Sequence, residues 1–276
     1  MIIKYLGTAA SEAVPAPFCE CDTCEYARRH GGRNIQTRAQ ALIDGKVLLD
    51  FGPDTFMHTI LHRFKLSDVA FCLITHPHED HLSADELAYR LSYAAHMKHE
   101  HPFVICGVKA ALDAVRKGIY TAELEKDGML VLKEINPFEP FEMEGYRITA
   151  LKADHGTPDP VFYIIEKEGQ ALLYAHDTGL FPEETMAYLA SIETKFDFIS
   201  YDCTNVLLEW NNRGHMGLTG NTIMRQRLAD IGKIKDSTIH VVNHFSHNGL
   251  AGYDQLMPIA LSKGFATSFD GMEVEF

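Results

Sequence analysis

The chain has 276 residues, and 25 Lys+Arg against 38 Asp+Glu give a formal net charge of −13 with the His residues neutral. A composition 46% hydrophobic and 10% aromatic supports a buried core and excludes global disorder. No apolar run reaches the roughly 18–20 residues of a membrane span, and the first residues lack a basic stretch followed by a long apolar one. The expectation is therefore a soluble, cytoplasmic protein with no membrane partner. A nucleic-acid partner is disfavoured, because a phosphate backbone needs a local basic patch and no Lys/Arg run is present.

In chain order, short strands are expected at Ile2 to Leu6, Ala39 to Ile43 and Lys46 to Phe51, the last two joined by an Asp44-Gly45 turn. Asp54 is placed to cap a helix through Phe64. The β-rich run Val69 to Thr75 then enters a polar cluster, and Ser83-Ala84-Asp85-Glu86 has the capping-box pattern that opens a helix near Leu87 and Leu91. His96, His99 and His101 fall at the expected end of that helix, where the helix C-terminus and solvent account for them, and no metal is assigned to them. A second set of strands covers Gly128 to Ile135, Tyr146 to Ala153, Val161 to Glu166 and Gln170 to Ala175, with a hairpin turn at Gly169. Helices over Pro182 to Ser191, Asn221 to Ile231 and Tyr253 to Lys263 alternate with strands over Phe196 to Tyr201, Thr238 to Asn243 and Phe265 to Phe269. No linker or repeat divides the chain. Residues 1–276 are thus expected to form a single domain of two sheets packed face to face with helices outside. Cys72, Cys106 and Cys203 sit in apolar strand-like segments and read as small core hydrophobes in a reducing compartment.

The stretch Thr75-His76-Pro77-His78-Glu79-Asp80-His81 carries the chemistry. Residues two apart on an extended loop point the same way, so His76 and His78 converge on one ion while the turn into the helix aims Asp80 and His81 at another. A His-rich surface loop without metal is the plainer alternative, but it does not explain why the loop follows a buried strand in this order.

This H-x-H-x-D-H order after a strand resembles the signature of the metallo-β-lactamase fold superfamily. The resemblance implies an α+β fold, a four-layer αββα sandwich with metal ions between two sheets. It also implies three later strand-end ligands, matched here by His155 in Ala153-Asp154-His155-Gly156, Asp177 in His176-Asp177-Thr178-Gly179, and His244 in Val242-Asn243-His244. One metal would be held by His76, His78 and His155 and the other by Asp80, His81 and His244, with Asp177 bridging. Asp50 matches a strand-end Asp that supports the site without ligating. His176 is turned to the opposite face by strand alternation and is not recruited. Imidazoles and carboxylates suit two zinc, manganese or iron ions.

Upstream, Cys19, Cys21 and Cys24 offer three corners of a tetrahedral zinc, and His247, three residues beyond His244, is the best fourth. A closed four-ligand site would be structural, fixing a cysteine-rich zinc flap over residues 15–35; a redox or reactive-thiol role is the alternative. With Gly7-Thr8 and Pro15, this pattern is similar to the PhnP-like phosphodiesterase subfamily, which includes the accessory protein of the carbon–phosphorus lyase pathway. A related protein of pyrroloquinoline quinone biosynthesis carries the same flap.

The subfamily implies a hydrolase in which a metal-bridging hydroxide, oriented by Asp80, attacks phosphorus of a small phosphodiester, with a ribose cyclic phosphate or cyclic nucleotide-like diester as the sharpest candidate. His215, in the Gly-flanked loop Arg213-Gly214-His215-Met216-Gly217, is the expected general acid, because an imidazole can deliver a proton at neutral pH. Asp202 and Asn205 end a strand near the same rim, with orienting and capping roles both open. Rival readings are a lactone or thioester hydrolase, a tRNA 3′-end endonuclease, which would need a basic RNA-gripping arm, and a non-catalytic binding protein. The relatives also imply a homodimer.

Overall fold

Strands that are apolar on both faces, such as 40–43 and 170–175, require cover on both sides, and that requirement decides the layering. The computed structural model describes residues 1–98, 101–209 and 211–276. The first half contains β1 (Ile2–Gly7), α1 (Asp22–His30), β2 (Gln40–Ile43), β3 (Val47–Leu49), α2 (Thr55–His62), β4 (Phe71–Leu73), β5 (Phe103–Gly107), α3 (Lys109–Val115), α4 (Thr121–Lys126) and β6 (Leu130–Glu134). The second contains β7 (Phe141–Met143), β8 (Tyr146–Lys152), β9 (Val161–Lys167), β10 (Gln170–Ala175), α5 (Glu183–Ser191), β11 (Phe196–Asp202), α6 (Leu218–Asp230), β12 (Ile234–Asn243), α7 (Tyr253–Ser262), β13 (Ala266–Thr267) and β14 (Glu273–Glu275).

Two seven-stranded sheets result, ordered β14-β1-β2-β3-β4-β5-β6 and β13-β12-β11-β10-β9-β8-β7. Inward residues of both, among them Tyr5, Leu48, Phe71, Tyr163, Tyr174 and Phe198, share one core. The outward residues of the second sheet, such as Leu173, Ile199 and Val242, pack with Leu189, Met224 and Leu256 of α5, α6 and α7. Helices α2, α3 and α4 cover strands of the first sheet. This is the expected αββα sandwich. Strands β3 to β6 run parallel, as do β10 to β12, so their C-terminal ends collect on one edge.

Several local expectations are corrected. The strand at 128–135 is β6, the far edge of the first sheet, and not part of the second set. The Ser83 capping box does not form: Ala84–Arg90 is a 3₁₀ helix with no side-chain cap. His96 and His101 consequently lie in irregular chain beyond it, not at a helix C-terminus, and His101 Nε2 instead lies 3.0 Å from the Ser67 carbonyl. His99 lies outside the described residues. Asp54 stands at the N-cap of α2 but makes no cap bond, because its carboxylate is taken by the Arg38 backbone N–H at 2.9 Å and guanidinium at 3.0 Å.

Helix α2 is inverted. Its outward residues are Phe56, Met57, Ile60 and Leu61, and its buried ones are Thr55 and His58. The polar side chains face in because they join a network beneath the strand-end Asp50: Gln40 Nε2 donates to the Asp50 carbonyl at 2.9 Å and to Thr55 Oγ1 at 2.8 Å, while Gln40 Oε1 lies 2.6 Å from His58 Nδ1. Burial disfavours the charged ring and pushes the His58 pKa down from 6.5 to about 4. Between those values the unfolded chain binds more protons than the folded one, so stability rises with pH. His58 is therefore expected to cost about 3 kcal/mol of stability as pH falls from about 6.5 to about 4. Urea midpoints against pH check this: His58→Asn should flatten that part of the profile, and parallel profiles would rule His58 out as its source.

Candidate metal centre

The gathered strand ends present the polar residues of the sequence motif. Asp50 follows β3, His76 to His81 follow β4, His155 follows β8, Asp177 follows β10, Asp202 ends β11 and His244 follows β12. Asp50, Asp177 and His244 have positive φ of 68°, 50° and 66°. Non-glycine residues held there at strand ends are strained, a feature concentrated at functional sites. Close approach matters as well: a Cβ on Gly52 would meet the Asp80 carbonyl oxygen at 2.1 Å, so only glycine fits beside the loop that carries Asp80.

The structure brings all seven side chains of the expected set together. His78 Nδ1 lies 3.0 Å from His76 Nε2 and 3.1 Å from His155 Nε2. His81 Nε2 lies 3.0 Å from Asp80 Oδ2 and from Asp177 Oδ2, and His244 Nε2 is also 3.0 Å from Asp177 Oδ2. Asp177 Oδ1 faces the other group, 3.7 Å from His155 Nε2. One carboxylate thus presents an oxygen to each cluster, the arrangement a bridging ligand needs.

The outer contacts fix the imidazole protons. His81 Nδ1 donates to Asp50 Oδ2 at 2.7 Å, and His155 Nδ1 donates to the Gly214 carbonyl at 3.2 Å. His76 Nδ1 lies 2.9 Å from Thr75 Oγ1, and His244 Nδ1 lies 2.7 Å from Thr204 Oγ1. A carboxylate and a carbonyl only accept, so in the neutral rings that metal ligation requires the inward Nε2 atoms of His81 and His155 carry the lone pairs; without a cation, burial disfavours the charged His81 ring but the Asp177, Asp50 and Asp80 carboxylates hold it protonated, its pKa well above 6.5. Among the described residues His81 Nε2, Asp177 Oδ2 and His244 Nε2 are buried with no hydrogen-bond partner despite their 3.0 Å spacing. Three buried lone-pair atoms aimed at a common point fit a divalent cation, and burying them unpaired would otherwise be costly. Burial favours the neutral acid, yet His244 and His81 outweigh it and hold Asp177 well below the usual carboxylate range.

His215 lies on the same rim in the loop before α6. Its Nδ1 is 3.0 Å from Asp202 Oδ2, 3.1 Å from Thr204 Oγ1 and 3.9 Å from Asp177 Oδ1. Burial opposes its charged form, but the Asp202 carboxylate, with Asp177 and Asp80 beyond it, raises its pKa to about 9. Asp202 is fully buried and also accepts the backbone N–H groups of Asp177, Thr204 and Met216, so it organises this corner and does not merely cap a turn. Asn205 Nδ2 donates to the His215 carbonyl at 3.2 Å. His176 stays out of both clusters: it is buried with Nε2 2.7 Å from Ser200 Oγ. Thr204 and Asp154, whose Oδ2 accepts the Gly214 N–H at 3.1 Å, were not singled out from the sequence. The only local signals were their positions beside Asp202 and His155.

A cysteine cluster is present where the flap was expected. Cys19, Cys21 and Cys24 Sγ and a His247 ring nitrogen lie within 4.8 Å of one another, with His247 Nδ1 3.4 Å from both Cys19 and Cys21. Burial works against the Cys21 thiolate, but hydrogen bonds from the Cys24 backbone, His247 and the other thiols overcome it and lower its pKa to about 6. Glu12 Oε1 backs His247 from the far side, 3.5 Å from Nε2.

Residues 46–240 match the family model described as the Beta-lactamase superfamily domain. The chain belongs to that family. A ribonuclease Z of Listeria innocua is 27% identical over 147 residues, covering 52% of this chain and 47% of that protein; the chain spans about half the length of the curated relatives it matches. Among solved structures, a diphosphatase of the PhnP family superposes with a TM-score of 0.75 at 18% identity over 100% of this chain and 96% of that one. Zn(2+)-bound PqqB from Methylobacterium extorquens gives 0.76 at 22% over 100% of both chains, and the short form of human tRNase Z gives 0.67 at 16% over 100% and 99%. These establish the metallo-β-lactamase fold, a hydrolase fold that carries divalent metal ions. No helix among the described residues is long and apolar enough to cross a membrane.

Proposed function

We propose that the chain is a metal-dependent phosphodiesterase of small diesters. The observation that carries this reading is the pair of ligand clusters joined by Asp177, with a carboxylate-backed histidine beside them. His76, His78 and His155 would hold one ion, Asp80, His81 and His244 the other, and Asp177 both. Two divalent ions there, zinc or manganese by ligand chemistry and iron by the same donors, would supply positive charge for a phosphoryl group and make a shared water acidic enough to deprotonate near neutral pH.

The chain's own groups do the rest. Asp80, whose Oδ2 lies 3.0 Å from His81 Nε2, would orient the attacking water by accepting a hydrogen bond on its carboxylate. His215 enters protonated. Its Nδ1–H stays on Asp202, and among the described residues Nε2 makes no hydrogen bond, which leaves that atom to give its proton to the leaving oxygen. The ring then remains neutral with the proton on Nδ1.

A proton donor at a leaving oxygen suits an ester with a poor leaving group, and relatives named as a ribonuclease and a diphosphatase both act on phosphate linkages. A net charge of −13 favours a small diester over a long phosphate backbone. The test is hydrolysis of bis(p-nitrophenyl) phosphate, which expels nitrophenoxide, and of a ribose cyclic phosphate, which can expel only an alkoxide, by zinc- or manganese-loaded protein. His215→Ala is expected to lower turnover about 10²–10⁴-fold where an alkoxide must leave and much less where nitrophenoxide does. A fully metal-loaded chain that leaves both diesters intact but opens lactones or thioesters would replace this reading with acyl hydrolysis.

A further inference from the structure

We propose that the loop 211–217, which carries His215, is clamped by the metal-facing histidines themselves: by His155 through the Gly214 carbonyl and by His244 through the Thr204 hydroxyl, with Thr204 the positioning residue. The inference rests on the ligand set of the proposed function but not on the substrate.

Each of the two rings has one nitrogen in a metal cluster and the other turned to the loop, His155 directly and His244 through Thr204. His155 Nε2 faces His78 Nδ1 at 3.1 Å while its Nδ1 donates to the Gly214 carbonyl at 3.2 Å. His244 Nε2 faces Asp177 Oδ2 at 3.0 Å while its Nδ1 lies 2.7 Å from Thr204 Oγ1. That hydroxyl is also 3.1 Å from His215 Nδ1 and 3.2 Å from Asp202 Oδ2, so it stands between a ligand and the acid. Gly214, at φ 74°, is held on its other side by Asp154, which accepts its N–H at 3.1 Å. The loop is further tied by Leu180 N–H to the Asn212 carbonyl at 2.9 Å and by Met216 N–H to Asp202 Oδ1 at 2.9 Å.

A neutral imidazole has one proton to place. An ion on Nε2 excludes the tautomer protonated there and forces the proton to Nδ1, where it serves the loop. Without the ion, the Nε2–H tautomer turns a lone pair on Nδ1 toward the Gly214 carbonyl, and the clamp is lost for that fraction of molecules. Metal binding and loop order are therefore linked, and each strengthens the other.

Amide hydrogen exchange of the metal-stripped and zinc-loaded chain tests this, with residues 15–35 followed in the same experiment so that flap loading is separated from active-site loading. Loading should slow the Gly214 and Met216 amides about thirtyfold, the factor that securing two hydrogen bonds of ordinary net strength would give. Thr204→Val, which leaves the His155–Gly214 bond in place, should keep only about a fivefold gain at wild-type metal content, and Thr204→Ser, which keeps the hydroxyl, should retain it all. Equal loop exchange in stripped and loaded wild type, or full protection in Thr204→Val, would overturn the proposal. The wild-type pair decides alone if the valine variant does not fold. Because no substrate is present, a loop that tightens in a chain inert to diesters sinks only the phosphodiesterase reading.

Discussion

Asp177→Asn is expected to empty both ligand clusters of metal and to lower diester hydrolysis at least about 10³-fold. The two Asp177 oxygens serve different partners, Oδ1 facing His155 at 3.7 Å and Oδ2 lying 3.0 Å from both His81 and His244. An asparagine keeps one acceptor, turns the other into an N–H₂ donor, and removes the negative charge placed between the imidazoles. The fold should survive, because asparagine is among the residues that best tolerate the left-handed backbone found here at φ 50°. The metal-free variant should be less stable than the metal-free wild type, since His81 and His244 lose the buried carboxylate that they hold ionised in the folded state. Metal analysis, circular dichroism and diester hydrolysis on one preparation separate these outcomes. A variant retaining a full metal complement would remove Asp177 from its bridging role.

Two packed sheets and the donors from His76 to His81 were legible because that information is local, whereas His155, Asp177 and His244 were picked out through the resemblance that the H-x-H-x-D-H order carries. Strand runs such as Phe71 to Ile74 are continuous, and the donors from His76 to His81 occupy six consecutive positions. His155, Asp177 and His244 each follow an apolar strand run, so strand-end placement delivers them to the same edge. What stayed hidden depends on contacts between distant segments. Met272-Glu273-Val274-Glu275-Phe276 alternates apolar and polar residues, but the run is short, and its place as the outermost strand of the first sheet depends on pairing with β1 at the other end of the chain. Helix α2 presents its apolar side outward because Gln40 and Asp50 claim the polar one, which periodicity alone cannot reveal. Thr204 and Asp154 matter only through the rings and loop they touch. The 3₁₀ helix at Ala84–Arg90 shows the opposite failure, a capping pattern present in sequence whose cap bond is not made.

His247→Ala is expected to remove one chelation-resistant zinc per chain while leaving the active-site pair loaded. Three thiols and one imidazole within 4.8 Å are enough for a closed tetrahedral site, which holds structure and offers no open position for substrate. Its ligands come from opposite ends of the chain, residues 19–24 and residue 247, so the ion would act as a long-range cross-link. In chain-entropy terms such a link contributes about 5 kcal/mol, and the variant's unfolding midpoint should fall accordingly. The flap should loosen without detaching, because Arg28 still donates to the Ala16 carbonyl at 2.8 Å and Asn34 still bonds Asp254 at 2.8 Å. Hydrolysis should stay within about tenfold of wild type, since His244, though only three residues away, is fixed by Thr204 rather than by the flap. Zinc counting before and after mild chelation decides between two chemistries. One zinc lost with the imidazole means a structural site. An unchanged count, together with an oxidisable pair among Cys19, Cys21 and Cys24, means that the thiols serve redox chemistry and that His247 lowers the Cys21 pKa for that purpose.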